Sequence, residues 1–379
     1  MARPQWLAFF DEVPEPRVER TRRHLLSDII GIALIGAICH CQGWEDMQEF
    51  VEEGPAAVRE LLELPHGVPS ADTLRRVLGA LDAKAFGACL IEWSRQLSVS
   101  SAGRLVSIDG KTVRGASSLH LVNAWVSDNS LVLGQLATDV KSNEITAIPE
   151  LIKLLDIRDA VVSIDAMGCQ KDIAKTICDA GGDYLFGLKK NHPTLHQEVL
   201  SAFDEGRCQA LKALPESYFS ESDKGHGRVE ERRVWVESNV DWLARSDKWP
   251  RLSSLILVES TRTIGEKTSC ERRAYISSHK GSAARFAALI RGHWHVENKL
   301  HWVLDVTFGE DRARVTHRNA AENLALLRKV ALNLLKRAPV MGKMGSIAAK
   351  IRRAGRRTDY LVTVLTGGLD SNLSPSDSA

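Results

Sequence analysis

The chain lacks the marks of several broad protein classes. It has no C-x-x-C pair, and its seven cysteines (Cys39, Cys41, Cys89, Cys169, Cys178, Cys208 and Cys270) are odd in number. That argues against a disulfide frame or a zinc ribbon and fits ordinary thiols in a reducing, cytoplasmic setting. Cys39-His40-Cys41 carries metal-binding residue types, but it closes an apolar helical run and reads as core. The longest apolar run, Ile29 to Cys39, falls well short of the roughly 20 residues that span a bilayer. The opening MARPQWLAFFDEVPEPR has no charged-then-apolar order, so no secretory leader is expected. Charge of one sign is scarce too: the net charge is only +2, which by itself names no nucleic-acid partner.

What is present is an uneven distribution. The 379 residues suggest two or three domains, and 44% hydrophobic with 26% charged residues is ordinary for a globular protein. From Asp311 to Tyr360, thirteen Lys/Arg face only Asp311, Glu322 and Asp359, a local balance of +10 against −8 elsewhere. Such an end suits a polyanion, or is a solvated basic helix pair.

Residues 1 to about 100 read as helical. Ser27 and Asp28 can cap IIGIALIGAICHC, residues 45 to 64 are amphipathic, Ser70 can cap ADTLRRVLGALD, and residues 83 to 97 carry an apolar stripe. The pattern then changes. LVSID (105–109), LVNAWVSD (121–128), LVLGQLATD (131–139), AVVSID (160–165) and DYLFGLK (183–189) read as strands, with helices over 144–156 and 170–180. This order predicts an α/β domain with a mixed sheet. A helix (194–203) and the runs RRVWVES, SLILVES and RRAYISS follow as a strand-rich insertion over about 194–275. Residues 282 to 304 form one long helical segment, Asn319 can cap AAENLALLRKVALNLLKR, and the tail LDSNLSPSDSA is expected to be disordered.

Two short motifs carry chemistry. Val106-Ser107-Ile108-Asp109 and Val162-Ser163-Ile164-Asp165 are the same four letters, each closing an apolar strand with an aspartate. In an open α/β sheet, functional groups collect at the carboxyl ends of strands. Neighbouring parallel strands would set the two aspartates side by side. A divalent cation would relieve their repulsion, and oxygen donors favour Mg²⁺ or Mn²⁺ over zinc. The other motif is HWHVENKLHW (293–302), where His293, Glu297 and His301 fall on one helical face at i, i+4 and i+8. It fits a zinc site built on those three residues, or a helix delivering Glu297 to a site made elsewhere. A two-metal phosphoryl-transfer centre wants about three carboxylates around ions some 3.5–4 Å apart, and Glu297 can be the third.

The chain resembles the DDE transposases with a ribonuclease-H-like fold, specifically the bacterial H-repeat-associated proteins of the ISAs type. The resemblance rests on SIDGKTVRG (107–115), KSNEITAIPELIKLLDI (141–157), DAMGCQKDIA (165–174), GGDYLFGLKKNH (181–192), GHGRVEER (225–232), IRGHWHVENKLHWVLDVTFGED (290–311) and NAAENLALLRKVALN (319–333). It implies that Asp109, Asp165 and Glu297 are the catalytic, metal-holding triad, with two Mg²⁺ or Mn²⁺ ions. It implies double-stranded DNA (element ends and target) as partner, at least a dimer on DNA, and a bacterial, nucleoid-associated location. The expected layout is a helical DNA-binding unit over 1–100, a catalytic unit over 101–340 with its β-rich insertion, and a basic C-terminal helix with a tail over 341–379.

Lys111, Arg114, Lys189, Lys190, Asn191 and Arg228 are candidate DNA contacts on this view, or plain loop and hairpin charges. Related insertion-sequence transposases carry tyrosine, arginine and lysine seven before, four before and seven after the glutamate; here those places hold Ile290, His293 and Leu304. Arg291, His293, Lys299 and His301 are candidates to take over phosphate contacts. Trp294 and Trp302 either stack on a base or belong to the core. The alternatives are a DNA-binding remnant without catalysis and, further off, a zinc metallohydrolase.

Overall fold

The structure, a computed structural model, describes residues 5–97, 103–114, 119–138, 143–189, 191–225, 227–243, 246–340 and 345–366. Lys190 and the C-terminal tail lie outside the described residues.

Helix α1 (Leu26–Cys39) is apolar all round, and every residue from Ser27 to Ile38 is buried, so it runs through the middle of a helical body. It ends at His40, whose left-handed backbone (φ 67) lets the Cys41 amide return to the Gly36 carbonyl at 2.8 Å. The expected cap of α1 is not made. Asp28 is buried and instead accepts from the amides of Glu63 (2.9 Å) and Leu64 (2.8 Å), fastening a distant loop to the helix. The amphipathic stretch is two helices, α2 (Trp44–Glu52) and α3 (Ala56–Arg59), separated around Gly54-Pro55. Gly36 is needed where α1 meets α2, because a Cβ there would lie 2.5 Å from Met47 Cγ. Ser70 caps α4 (Ala71–Ala80) as expected, accepting from the Thr73 amide, and α5 (Ala83–Leu97) follows.

Among the described residues, nine strands make one sheet: β1 (Leu105–Val113), β2 (Leu119–Val126), β3 (Leu131–Thr138), β4 (Val161–Ile164), β5 (Asp183–Leu188), β6 (Tyr218–Gly225), β7 (Arg228–Glu237), β8 (Ser254–Ile264) and β9 (Lys267–Ser277). Their order is β3-β2-β1-β4-β5-β9-β8-β7-β6. β1 is antiparallel to β2 and parallel to β4, and β4 is parallel to β5. The later strands continue the sheet past β5 by an antiparallel pairing with β9. Strand β6 (YFSESDKG) has no apolar alternation to announce it and is held by its ladder to β7 at the sheet edge.

Helices α6 (Glu144–Leu154), α7 (Lys171–Asp179), α8 (Pro193–Ala202) and α9 (Glu205–Lys212) share a core with one sheet face, reaching Val106, Ile108, Val162 and Ile164. Helix α10 (Ala283–His293) packs on the opposite face with Leu105, Val161 and Leu185. Helix α11 (Arg318–Arg337) begins one residue before Asn319, with His317 at its N-cap and no side-chain cap. The Arg318 guanidinium instead reaches the Thr138 carbonyl at 3.1 Å. With α13 (Thr358–Thr366), which follows α12 (Ile347–Ala354), α11 joins the same apolar cluster as α1 and α4, so helices from both ends of the chain close one core.

Candidate metal centre

The repeated four letters do two jobs because side chains alternate across a strand. Val106 and Ile108, with Val162 and Ile164, face the helices of one layer. Ser107 and Ser163 face the other way, and their hydroxyls meet at 3.2 Å. β1 and β4 pair with Ser107 opposite Ser163 and Ile108 opposite Ile164, so Asp109 and Asp165 leave adjacent strands at the same level. Their surroundings differ. Asp109 is largely enclosed. Asp165 is exposed, and its Oδ1 accepts from the amides of Met167 (3.0 Å) and Gly168 (3.3 Å), fixing the turn after β4.

The segment expected as one helix over 282–304 is not uniform. α10 stops at His293, the chain makes a turn at Trp294, and two π-helical turns follow, Glu297–His301 and Val303–Thr307. Such turns are rare and concentrate at functional sites. Val296, Leu300 and Leu304 anchor this segment in the helical core, which leaves Glu297 projecting from it. The three residues of the one-face reading part company. His293 Nδ1 bonds the Ser163 hydroxyl at 2.9 Å. His301 is buried, with Nδ1 at 3.6 Å from Asp109 Oδ2 and 3.4 Å from Glu297 Oε2. Asp109, Glu297 and His301 thus bring donor atoms within 4.8 Å of one another. The zinc arrangement of His293, Glu297 and His301 is not assembled.

A cleft of about 280 Å³ opens beside this cluster, lined by Asp109, Asp165 and Glu297 together with Lys189, Arg273 and Trp294. Burial, then the charges of Glu297 and Asp165, push the Asp109 carboxyl up to about 8. The His301 imidazole beside it holds Glu297 below the usual carboxylate range despite partial burial. Asp109 is therefore the acid of this group that takes up a proton most readily. Crowded oxygen donors that relieve their repulsion by taking up a proton, next to an imidazole nitrogen, fit a divalent cation. Burial also lowers His293 to about 4, so it stays a neutral hydrogen-bond partner of Ser163.

Several expected DNA contacts have other partners. Lys111 follows Asp109 on the same strand face but is buried, in ion pairs with Asp305 (2.5 Å) and Glu310. It has no surface from which to meet a phosphate. Glu310 is fully enclosed and also faces Arg328 at 3.9 Å, while Lys329 bonds Gln135 in the interior. Lys350 donates to the carbonyls of Leu335 (2.7 Å) and Ala338 (2.6 Å), and Lys336 lies 4.1 Å over the Trp125 ring. Part of the basic C-terminal excess is thus internal scaffolding.

His301 belongs to the acid cluster, not to an exposed face. Asn191 donates to the Ala166 carbonyl beside Asp165. Arg291, which is exposed, pairs with Glu221 at 3.1 Å, and the half-buried Arg228 pairs with Glu230 at 2.8 Å. Arg114 is exposed, and its backbone amide donates to Asp311 at 3.1 Å. Lys189 remains exposed at the cleft. Trp294 and Trp302, 47% and 57% exposed, are not core residues. Sequence reasoning missed Asp305, Glu310 and Arg273; the i, i+2 spacing of Asp109 and Lys111 was the available signal that a second cluster adjoined the first.

Residues 7–94 match the family model described as DDE_Tnp_1-associated, and residues 78–334 match the model described as Transposase DDE domain. The chain is 37% identical over 368 residues to the "H repeat-associated putative transposase YhhI" of Escherichia coli K12, covering 94% of this chain and 96% of that one. It is 36% identical over 371 residues to the "Putative transposase YncI" of Escherichia coli O157:H7, covering 95% and 94%. A solved piggyBac transposase synaptic complex with hairpin DNA covers 98% of this chain and 79% of its own at 11% identity and a TM-score of 0.37, too distant to carry weight. With the transposase model spanning more than half of its length, this chain belongs to the DDE transposase family, metal-dependent enzymes that cleave DNA, alongside the H repeat-associated proteins.

Proposed function

We propose that the protein is the transposase of an insertion sequence, with Asp109, Asp165 and Glu297 as its cation-holding triad. The observation that carries the reading is the in-register parallel pairing of the two VSID strand ends, with Glu297 lining the same cleft. The order β3-β2-β1-β4-β5, with β2 antiparallel to both its neighbours and β1, β4 and β5 parallel, supports a ribonuclease-H-like catalytic unit over 101–340 in which residues 194–275 are the insertion. The helices of 1–100 and the exposed basic residues of 341–379 are assigned to DNA, in a homodimer that engages both element ends in the nucleoid.

Two Mg²⁺ or Mn²⁺ ions, when bound, would supply charge to stabilise an in-line phosphoryl transfer and lower the pKa of water or a 3′-hydroxyl. Asp109, the most enclosed of the acids, lies close to both Glu297 and Asp165 and would hold a cation together with either of them. Asp165 is held by its turn amides, which fixes one oxygen and leaves the other for the cleft. Lys189 and Arg273 line the same cleft, where their charge suits a phosphodiester backbone. In the first step water attacks the scissile phosphorus and the P–O3′ bond breaks, giving a 3′-hydroxyl and a 5′-phosphate. In the second, that hydroxyl attacks a target phosphorus and expels a target 3′-oxygen.

The test is nicking and strand transfer on a DNA substrate carrying the element ends, with Mg²⁺ or Mn²⁺. Wild-type protein should nick, and Asp109→Asn and Glu297→Gln should lose activity by at least about a thousandfold while still binding DNA. Nicking by Asp109→Asn at the wild-type rate would remove the triad from the reaction.

A further inference from the structure

Of the three histidines of HWHVENKLHW, His293 is bonded to Ser163, whereas His301 sets a ring nitrogen against both Asp109 and Glu297. Its ring is 5% exposed. Nδ1 faces Asp109 Oδ2 at 3.6 Å and Glu297 Oε2 at 3.4 Å. Both distances exceed those of ordinary N–H···O bonds, about 2.7–3.2 Å. They lie near the spacing of two donors on one ion: at about 2.1 Å each, donors sit roughly 3.0 Å apart at a right angle and 3.4 Å at a tetrahedral one. A core histidine normally satisfies both ring nitrogens. Here Nε2 is enclosed without a partner among the described residues, so the ring's polar anchor is the acid pair alone. A phosphate contact would need an open face, which this ring does not have.

We propose that His301 is a ligand of the metal centre, adding an imidazole nitrogen beside Asp109 and Glu297, and that it tilts the centre toward Mn²⁺ over Mg²⁺. The inference rests on the reading of Asp109 and Glu297 as cation ligands. All-oxygen sites suit Mg²⁺, whereas imidazole is a good donor to transition ions and a poor one to Mg²⁺. His293, bonded to Ser163, is not part of the set.

The test uses the full-length chain and the ions alone. Pulsed electron paramagnetic resonance of bound Mn²⁺ should show a directly coordinated ¹⁴N in wild-type protein, and that coupling should vanish in His301→Gln. Mn²⁺ affinity should fall by about 10–100-fold in the variant, the range seen when a ligand set is disturbed. Mg²⁺ affinity, read by competition, should change by no more than about threefold. Absence of nitrogen coupling in wild type, its persistence in His301→Gln, or equal losses for both ions would each overturn the proposal. The wild-type spectrum decides even if the variant fails to fold. Asp109→Asn separates the layers: wild-type Mn²⁺ binding in that variant would remove the underlying carboxylate reading, whatever His301 does.

Discussion

Asp109 and Lys111 stand two residues apart on one face of β1, and each meets acids from the segment after α10. Around Asp109 stand Glu297, Asp165 and His301, with no lysine or arginine among the cluster residues. Around Lys111 stand Asp305 and Glu310, with Arg328 and Lys329 behind them. The first cluster is an acid excess that calls for a cation from solution. The second is closed by cations of the chain itself. Their opposite pKa behaviour follows: Asp109 rises to about 8, whereas Glu310, despite the cost of burial, is held near 2 by Lys329, Lys111 and Arg328. One strand thus sets an acid cluster and an ion-pair clasp side by side, and the clasp holds the segment that brings Glu297 to the acids.

The comparison can be broken most sharply at the clasp. Lys111→Met leaves Glu310 and Asp305 uncompensated and should cost about 3–5 kcal/mol in chemical denaturation, with metal affinity falling in parallel. Unchanged stability would mean that the pair holds nothing. Gly110 lies between the two residues, and a Cβ there would press into the Glu144 carboxylate and His120. Gly110→Ala should therefore lose about 1–3 kcal/mol by overpacking, measured as a drop in Tm.

The clusters should also separate by pH. A folded pKa raised from 3.8 to about 8 makes Asp109 a growing penalty as pH rises across that interval. Asp109→Asn should then stabilise the metal-free protein at the alkaline end by about 1–2 kcal/mol, seen as a higher Tm, while abolishing metal binding. Glu310 has the reverse sign: its depressed pKa adds stability that is full above 4.5 and is lost as pH falls toward 2. A Tm profile in which Glu310→Gln fails to flatten the acid limb would count against the clasp. The smallest change expected is from Ser163→Ala, which removes the bond to His293 and should cost about 0.5–1.5 kcal/mol.

Much of the centre was legible in the sequence because strand alternation is a local rule. Four letters, VSID, specify a buried face, a polar face and a terminal acid, and repeating them forecasts two equivalent strand ends. The mixed sheet was readable for the same reason. What failed to show was non-local. Asp28 sits where a helix cap would sit, yet it serves amides of a loop more than thirty residues away. Strand β6 owes its place to the backbone of β7, not to its own side chains. Lys111 reads as a DNA contact or a loop charge because its acid partners lie almost two hundred residues later. The single helix expected over 282–304 failed because nothing in the residue spacing announces that α10 ends at His293 and that a π-helical turn begins at Glu297.

That last point reaches beyond this site. Motif positions along a helix are counted as though every residue advances the same angle. In the two turns after Val296 the backbone ladder closes one residue later than in an α-helix, i→i+5 in place of i→i+4. The count is therefore out of phase with the space it is meant to describe. The place seven after Glu297 holds Leu304, which is buried in the core, and the next residue, Asp305, is the one that reaches back to β1. Comparison of signature residues across this family is better made by the direction each side chain takes from the strand ends than by its number after the glutamate.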